Sequence, residues 1–174
     1  WIYGPRDRIT LPRIIPALQQ GRVRIIGSGA NLLNIIYVSD VAAGAILAAN
    51  NPRARGQAFN LCSEGEVTQK VMIDTMTDAL GLARITRHIP FFLAMRSAFI
   101  LELIARLCFF KNPPRITRRA VFLIGRPTYY SVAKAKSQLG WVPRVKIQEG
   151  VRQSMAWYFG SRGLPVPAVH MAAG

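Results

Sequence analysis

The chain has 174 residues, of which 23 are Lys or Arg and 8 are Asp or Glu, so its formal net charge is +15. Hydrophobic residues make up 51% of it, which excludes a disordered chain, because disorder at high net charge requires low hydrophobicity. The 14 glycines and 11 prolines follow no period, which excludes a collagen-like repeat. The length suffices for one domain with a core. A motif begins at Trp1 itself, so we expect a portion of a longer protein.

Short strands and helices alternate along the chain. Alternating or β-branched runs between turn residues predict strands at 1–5 (a strand end and its turn), 22–26, 35–38, 57–61 and 85–89. Helical spacing of apolar residues predicts helices at 11–18, 41–50, 68–80, 117–124, 131–139 and 148–158. Ser39 or Asp40 is placed to cap the helix over 41–50, and Thr68 opens the helix after it.

The segment Phe91 to Phe110 has only three charged residues, Arg96, Glu102 and Arg106. On a helix these three fall within an arc of about 120°. A membrane span has about this length, but three ionisable groups inside it are costly. The pattern predicts an amphipathic helix with a wide apolar face. That face packs on the domain's own core or a partner subunit, or it lies in a membrane interface.

Positive charge is concentrated between Arg84 and Arg126, where nine cations accompany one acid, Glu102. Such a field attracts the phosphates of nucleic acids, nucleotides or anionic lipids. Nucleic-acid binding usually brings a recognisable motif, and we find no RNP-like aromatic cluster, GxxG clamp or zinc finger. We therefore expect a solvated or lipid-facing basic surface and no nucleic-acid partner.

No self-sufficient catalytic site is evident in the sequence. Gly27-Ser28-Gly29 lacks the third glycine of a dinucleotide-binding fingerprint and precedes a β-branched run, so it predicts a tight turn. Tyr130 and Lys134 have Tyr-x-x-x-Lys spacing, but they begin a small polar helix and are interpreted as surface residues. Cys62 and Cys108 have no metal-ligand spacing, so no metal site is predicted and a reducing, cytoplasmic compartment is expected.

Three groups of motifs occur in a set order. They are Ile2-Tyr3-Gly4-Pro5-Arg6-Asp7; Gly27 to Asn31 followed by Asn34 to Ala42; and Ala133 to Ala135 followed by Leu139 to Pro143 and Glu149 to Val151. They resemble the "IYGP-x-D", "GxGxN…yVxDvA" and "kA…LGW-x-P…EG" elements of the extended short-chain dehydrogenases/reductases, in the NAD-dependent epimerase/dehydratase superfamily. The resemblance covers residues 1–160 and leaves 161–174 as a loose tail.

In that family a Rossmann domain with the Gly-rich loop and the catalytic Tyr-x-x-x-Lys precedes the "YGP" element. The resemblance implies that both lie upstream of Trp1, that this chain contains no catalytic residue, and that it is the substrate-side half of such an enzyme. The implied fold is α/β, the C-terminal part of a doubly wound, Rossmann-like sheet with a small, mostly helical substrate-binding cap. NAD or NADP is expected to bind mainly to the preceding half, and here to Trp1, Ile2 and Tyr3.

Positions that often contact the nucleotide in sugar-nucleotide epimerases and dehydratases are changed here. Trp1 replaces an Asn, Ile9-Thr10-Leu11 replaces an Asn-Asn-Leu run, and Leu33 replaces an Arg that holds the diphosphate. A bidentate Arg is hard to replace in phosphate recognition, so an apolar substrate is expected. The chain resembles more the 3β-hydroxysteroid dehydrogenase/isomerase family, which shares the Pro90-led hydrophobic helix and the Pro113-Pro114-Arg115-Ile116-Thr117 element.

This resemblance implies an oxidoreductase that transfers hydride from a sterol-like or other apolar secondary alcohol to NAD(P). The predicted substrate-binding residues are Tyr3, Asp7, Leu11, Ile14 and Leu33. The predicted partners are an apolar small molecule, a membrane surface contacted from the periphery by residues 91–110, and a second copy of the chain. Two alternatives stay open: a sugar-nucleotide epimerase or dehydratase, and a non-catalytic basic module that binds membrane surfaces.

Overall fold

The computed structural model describes residues 1–63, 67–109, 114, 116–128 and 130–167. Within these residues, four strands of two residues each occur among seven α-helices. The strands are β1 (Ile2–Tyr3), β2 (Ile25–Ile26), β3 (Ile36–Tyr37) and β4 (His88–Ile89). The helices are α1 (Leu11–Gln19), α2 (Val38–Ala49), α3 (Gln69–Ala79), α4 (Phe91–Leu107), α5 (Arg118–Gly125), α6 (Ala133–Leu139) and α7 (Ile147–Gly160), and a 3-10 turn spans Pro52–Ala54.

The strands form two parallel pairs. β1 pairs with β3 and places Tyr3 opposite Tyr37. β2 pairs with β4 and places Ile25 opposite His88. Parallel neighbours require a crossover connection, and helices supply part of both connections. Helices around small parallel sheets confirm the predicted α/β class.

Helices α1, α3 and α7 pack around β2 and form the main core. Ile15 of α1, Met76 of α3 and Met155 of α7 are all buried in it. The predicted cap of α3 is confirmed, because the Thr68 hydroxyl accepts the Val71 N–H at 3.2 Å. These helices therefore bury one apolar face each, as their spacing predicts.

Helix α2 begins earlier than predicted. Its first residue, Val38, follows β3 directly, and Tyr37 is the N-cap without a side-chain hydrogen bond. The predicted capping role of Ser39 or Asp40 is therefore wrong. Asp40 lies inside the first turn, where it is buried and bound to a segment distant in sequence.

The strand predicted over 57–61 is absent. The main-chain bond to this side of β3 comes just after the predicted strand, where the Ser63 N–H donates to the carbonyl of Ile35, the residue before β3, at 2.7 Å. A partner strand of two residues presents too few main-chain groups for a continuous ladder. The strands predicted over 22–26 and 85–89 shorten to β2 and β4, which pair over two residues only.

Helices α4 and α5 pack against each other through small side chains. Ala94 and Ala98 of α4 and Val121 of α5 are buried in a separate cluster. At the end of α5, a Cβ on Gly125 would lie 2.8 Å from a ring carbon of Phe91. The close approach of the two helices therefore depends on residues without large side chains.

Phe91 and Met95 pack against the cluster between α4 and α5, whereas the other large apolar side chains of α4 are exposed. The exposed ones are Phe92, Leu93, Phe99, Ile100, Leu101, Leu103, Ile104 and Leu107. The predicted helix is thus confirmed over 91–107, and Phe110, its predicted end, lies outside the described residues. Its wide apolar face does not pack on the core that the described residues form. None of the described helices combines the length and the apolar composition that a membrane span requires.

Candidate functional site

The three motifs of the sequence meet at the carboxyl ends of β1 and β3, which lie at one edge of their parallel pair. The rings of Tyr3 and Tyr37 contact each other edge to face, with centroids 5.5 Å apart. Gly150 of α7 lies against both rings. A Cβ at this position would come within 2.5 Å of the Tyr3 hydroxyl oxygen and 2.9 Å of a Tyr37 ring carbon. The glycine of the third motif therefore permits α7 to contact the other two motifs.

Asp40 joins the second motif to the third. Its Oδ2 accepts the main-chain N–H groups of Arg144 at 3.2 Å and Val145 at 3.1 Å. The indole Nε1 of Trp141 donates to the Asp40 carbonyl oxygen at 2.9 Å. Since Asp40 is buried, these bonds replace the water that a carboxylate otherwise binds. The aspartate and tryptophan of the motifs are therefore positioning residues that hold the segment 141–145 beside α2.

A cavity of about 480 Å³ lies between β1, β3 and the segment 143–148. Tyr3, Tyr37 and neighbouring apolar residues form its inner wall, and exposed Arg144 and Lys146 form its rim. Tyr37, Arg144 and Lys146 are not predicted from the sequence as site residues. The sequence feature that could have indicated the two rim cations is their alternation with apolar residues after Pro143.

The two tyrosines of the cavity resist deprotonation. Burial raises the pKa of Tyr3 above its ordinary value. Burial and the charge of Glu149 raise the pKa of Tyr37, whose hydroxyl donates to Gln153 Oε1. Hydrogen bonds from Arg152 and Gln153 lower the pKa of Glu149 to about 2. Near neutral pH both tyrosines are therefore protonated, and the Tyr37 hydroxyl already uses its proton in the bond to Gln153.

Four of the predicted substrate-binding residues lie in or on the main core. Tyr3, Leu11 and Leu33 are buried there, and Ile14 packs against it from α1. Among these four, Tyr3 also lines the cavity. The structure brings them together as one packed cluster, and their contact with substrate stays a prediction.

Asp7, the fifth predicted substrate residue, shapes the turn before α1. Its Oδ1 accepts the N–H of Ile9 at 3.0 Å and the N–H of Thr10 at 2.7 Å. Oδ2 of the same carboxylate is buried without a hydrogen-bond partner in the structure. One oxygen is therefore committed to the turn.

The residues predicted at the nicotinamide end differ in exposure. Trp1 and Ile2 are 39% and 54% exposed, whereas Tyr3 is buried. Gly27 and Gly29 adopt positive φ angles of 68° and 76°, so the predicted tight turn is confirmed. The chain then continues to β3 and not to a helix, so this turn does not form a dinucleotide-binding loop.

Tyr130 and Lys134 do not form an acid–base pair. Helix α6 begins at Ala133, so Tyr130 lies outside it. Lys134 Nζ donates to Gln57 Oε1 at 2.9 Å and to the Ala58 carbonyl at 3.0 Å. Both residues lie on the surface, as interpreted. Within the part of the chain that the structure describes, no three His, Cys, Asp or Glu side chains are grouped to hold a metal ion.

Residues 1–82, which carry the first two motifs, match the 3-beta hydroxysteroid dehydrogenase/isomerase family. The chain is similar to that family through these residues. Its curated relatives include the 2-alkyl-3-oxoalkanoate reductase of Stenotrophomonas maltophilia, 29% identical over 159 residues, which are 89% of this chain and 48% of the relative. The mouse sterol-4-alpha-carboxylate 3-dehydrogenase, decarboxylating, is 30% identical over 161 residues, which are 88% and 44% of the two chains. The chain thus spans about half of these relatives.

Solved structures share the Rossmann-like α/β fold, which confirms the predicted fold class. The crystal structure of gox2253 superposes with a TM-score of 0.66 at 24% identity and covers 94% of this chain and 48% of its own. MoeE5 in complex with UDP-glucuronic acid and NAD gives a TM-score of 0.58 at 26% identity; the match covers 94% of this chain and 45% of MoeE5.

Proposed function

We propose that residues 1–160 form the substrate-side unit of an NAD(P)-dependent oxidoreductase that interconverts an apolar secondary alcohol and its ketone. The observation that carries the proposal is the family match over residues 1–82, which is joined by relatives named for such reactions. The cofactor, when bound, supplies hydride transfer, and this chain binds and orients the alcohol. The catalytic acid and base belong to the half that precedes the "YGP" element, and residues 161–174 are a tail.

The names of the two relatives define a narrower substrate class. A sterol-4-alpha-carboxylate has its carboxylate on the carbon next to C3, where the dehydrogenase acts. A 2-alkyl-3-oxoalkanoate has its carboxylate on the carbon next to the oxo carbon and an alkyl group on that same carbon. Both substrates are therefore acids whose reacting carbon is β to the carboxylate, with apolar substitution between the two. We assign the same class to this protein.

The cavity between β1, β3 and the segment 143–148 suits such a molecule. Tyr3 and Tyr37 offer an aromatic wall, and Arg144 and Lys146 offer positive charge at the rim. Pockets of this size, with mostly apolar walls and a few placed polar groups, bind small molecules in other proteins. We infer that the rim cations contact the substrate carboxylate.

The environment of Leu33 supports an apolar substrate. This residue is 4% exposed, and its N–H donates to the Val67 carbonyl at 2.8 Å. A leucine buried in the core offers no charge to a diphosphate, whereas an arginine offers a bidentate contact. The position that often recognises sugar nucleotides therefore lacks the group that this recognition uses.

The described residues fit the nicotinamide end of the cofactor only. Trp1 and Ile2 expose apolar surface that suits the face of a planar ring. The phosphate-binding glycine loop is not formed by the described residues, so the proposal places NAD or NADP mainly on the preceding half. For the 174-residue chain alone we expect neither turnover nor measurable NAD binding; tight binding in calorimetry would contradict this division.

The proposal is tested with the protein produced from its complete open reading frame. NAD or NADP reduction is measured with a 4-carboxy-3-hydroxysterol, a 2-alkyl-3-hydroxyalkanoate, a 3-hydroxysterol without a carboxylate, and UDP-glucuronic acid. We expect turnover of the two acids. The double variant Arg144→Gln with Lys146→Gln should raise KM for the acids and leave KM for the neutral sterol unchanged; Arg53→Gln on the 3-10 turn is the matched control. Turnover of UDP-glucuronic acid alone would overturn the proposal.

A sugar-nucleotide epimerase or dehydratase is the second candidate. It is favoured by the 26% identity to MoeE5, whose structure contains UDP-glucuronic acid and NAD. Turnover or epimerisation of a sugar nucleotide, with no activity on the acids, would establish this alternative.

A further inference from the structure

A series of hydrogen bonds leads from the surface of α7 to Tyr37 of the cavity. Arg152 donates to both carboxylate oxygens of Glu149, from Nε at 2.8 Å and from Nη2 at 2.5 Å. Gln153 Nε2 donates to Glu149 Oε1 at 2.6 Å, and Gln153 Oε1 accepts the hydroxyl of Tyr37. We call these four residues the hydrogen-bond relay. It joins the second motif, on β3, to the third motif, on α7.

The ion pair at the surface end fixes the direction of the bonds in the relay. The guanidinium of Arg152 only donates, and an ionised carboxylate only accepts. Hydrogen bonds from Arg152 and Gln153 lower the pKa of Glu149 to about 2, so this carboxylate is ionised near neutral pH. The amide of Gln153 must therefore present its nitrogen to Glu149 and its oxygen to Tyr37. The single hydroxyl proton of Tyr37 is consequently committed to Gln153.

The committed proton decides which ligand groups Tyr37 can bind. Its hydroxyl oxygen still has the capacity to accept a hydrogen bond, but it has no second proton to donate. Tyr37 lines the cavity and is buried, so an unpaired polar atom beside it costs more than it would in water. A ligand hydroxyl donates to this oxygen, whereas an oxo or fluoro group would leave one acceptor facing another.

We propose that Gln153 is a positioning residue that makes Tyr37 a hydrogen-bond acceptor, so that the cavity binds a hydroxy acid more tightly than the same acid without a hydroxyl proton. The inference rests on the proposed function, in which the cavity takes an acid that also carries an alcohol. Arg144 and Lys146 at the rim attract the carboxylate, and Tyr37 accepts from the hydroxyl. The contact acts in binding and leaves proton transfer to the preceding half.

The direction of the Tyr37 bond is tested by Raman spectroscopy of the protein from the complete open reading frame. The intensity ratio of the tyrosine Fermi doublet is low for a phenol that donates and high for one that accepts. The signal of Tyr37 is the difference between the parent and Tyr37→Phe. We expect a low ratio in the parent and in Gln153→Glu, since a carboxylate also accepts, and a higher ratio in Gln153→Met, which offers no oxygen. A high ratio in the parent would overturn the proposal.

The selectivity is tested by calorimetry with the same protein and no cofactor. The ligands are a 2-alkyl-3-hydroxyalkanoate and its 3-fluoro analogue, in which fluorine replaces the hydroxyl group. We expect the parent to bind the hydroxy acid about tenfold more tightly, as one hydrogen bond in a buried site allows. Tyr37→Phe and Gln153→Met should lose most of this ratio, and Gln153→Glu should keep it. The matched control is Gln138→Met at an exposed position of α6, which should leave the ratio unchanged.

The comparison of the two acids in the parent depends on no variant. Equal binding of both acids, or binding of neither, would overturn the proposal, and so would a ratio that Gln153→Met leaves intact. Turnover of the hydroxy acid with equal binding of the two acids would overturn this inference alone. The expected selectivity without turnover of any hydroxy acid would overturn the proposed oxidoreductase activity and support the contact with Tyr37.

Discussion

The main core and the α4–α5 hairpin use large apolar residues in opposite ways. In the main core, Ile15, Met76 and Met155 of three different helices are buried against one another. In the hairpin, two alanines of α4 and Val121 of α5 form the buried contact, and most of the large apolar side chains of α4 are exposed. The difference shows that apolar composition does not decide which side of a helix is buried; the side that permits the closest helix approach does.

The largest expected effect on stability distinguishes a buried tryptophan from an exposed leucine of α4. Trp141 is buried and donates to Asp40, so Trp141→Ala should lower the free energy of unfolding by about 3–5 kcal/mol. Leu103→Ala, at an exposed position of α4, should change the free energy of unfolding by less than about 0.5 kcal/mol. Urea unfolding followed by circular dichroism measures both. Similar losses for the two variants would show that the hairpin buries its leucines after all.

A smaller effect is expected from the contact between motifs. Asp40→Ala removes the acceptor for the N–H groups of Arg144 and Val145 and should cost about 2 kcal/mol. Asp40→Asn keeps an oxygen acceptor and should cost less. If Asp40→Ala unfolds at the same urea concentration as the parent, the segment 141–145 does not depend on this carboxylate.

The packing rule of the hairpin is tested by enlarging its buried side. Ala98→Leu introduces three heavy atoms where the side chain is fully buried and should cost about 1–2 kcal/mol. Ser97→Leu is the matched control, because Ser97 is the neighbouring residue and is exposed. Equal urea midpoints for both variants would mean that α4 can rotate without cost.

The smallest effect concerns the loss of stability at alkaline pH that Tyr3 causes. Burial raises the pKa of Tyr3, so the folded state resists ionisation of this phenol. The stability that this contributes is full below the ordinary tyrosine pKa of 10 and is lost as the pH rises above it. Tyr3→Phe should therefore flatten the fall of the urea midpoint above pH 10. Identical pH slopes for Tyr3→Phe and the parent would contradict the argument.

Local patterns predicted the helices better than the strands. The apolar spacing and the Thr68 cap predict α3, and Gly140, with φ of 65°, ends α6 as its position predicts. The strand over 57–61 fails, because a strand exists only where a neighbouring segment supplies a ladder. The cap at Ser39 or Asp40 fails because a contact with a segment about 100 residues later holds Asp40 inside the helix.

The motifs also contain residues that meet in the structure, a contact that the sequence did not predict. Tyr3, Asp40 and Gly150 come from three separate motifs and converge at one edge of β1 and β3. The rim cations Arg144 and Lys146 were not predicted, because a charged residue in an extended segment resembles any solvated one. Their position beside the cavity follows from the Asp40 contact with the main chain.

By itself the sequence determined the α/β class, the resemblance to the 3β-hydroxysteroid dehydrogenase/isomerase family, and the existence of an apolar helix after Pro90, because these depend on periodicity and on residues a few positions apart. The tertiary structure alone decided which face of that helix is buried and that Asp40 holds the third motif in place. Such choices depend on the distances that neighbouring elements permit, and side-chain volume and hydrogen-bond geometry across the fold set those distances.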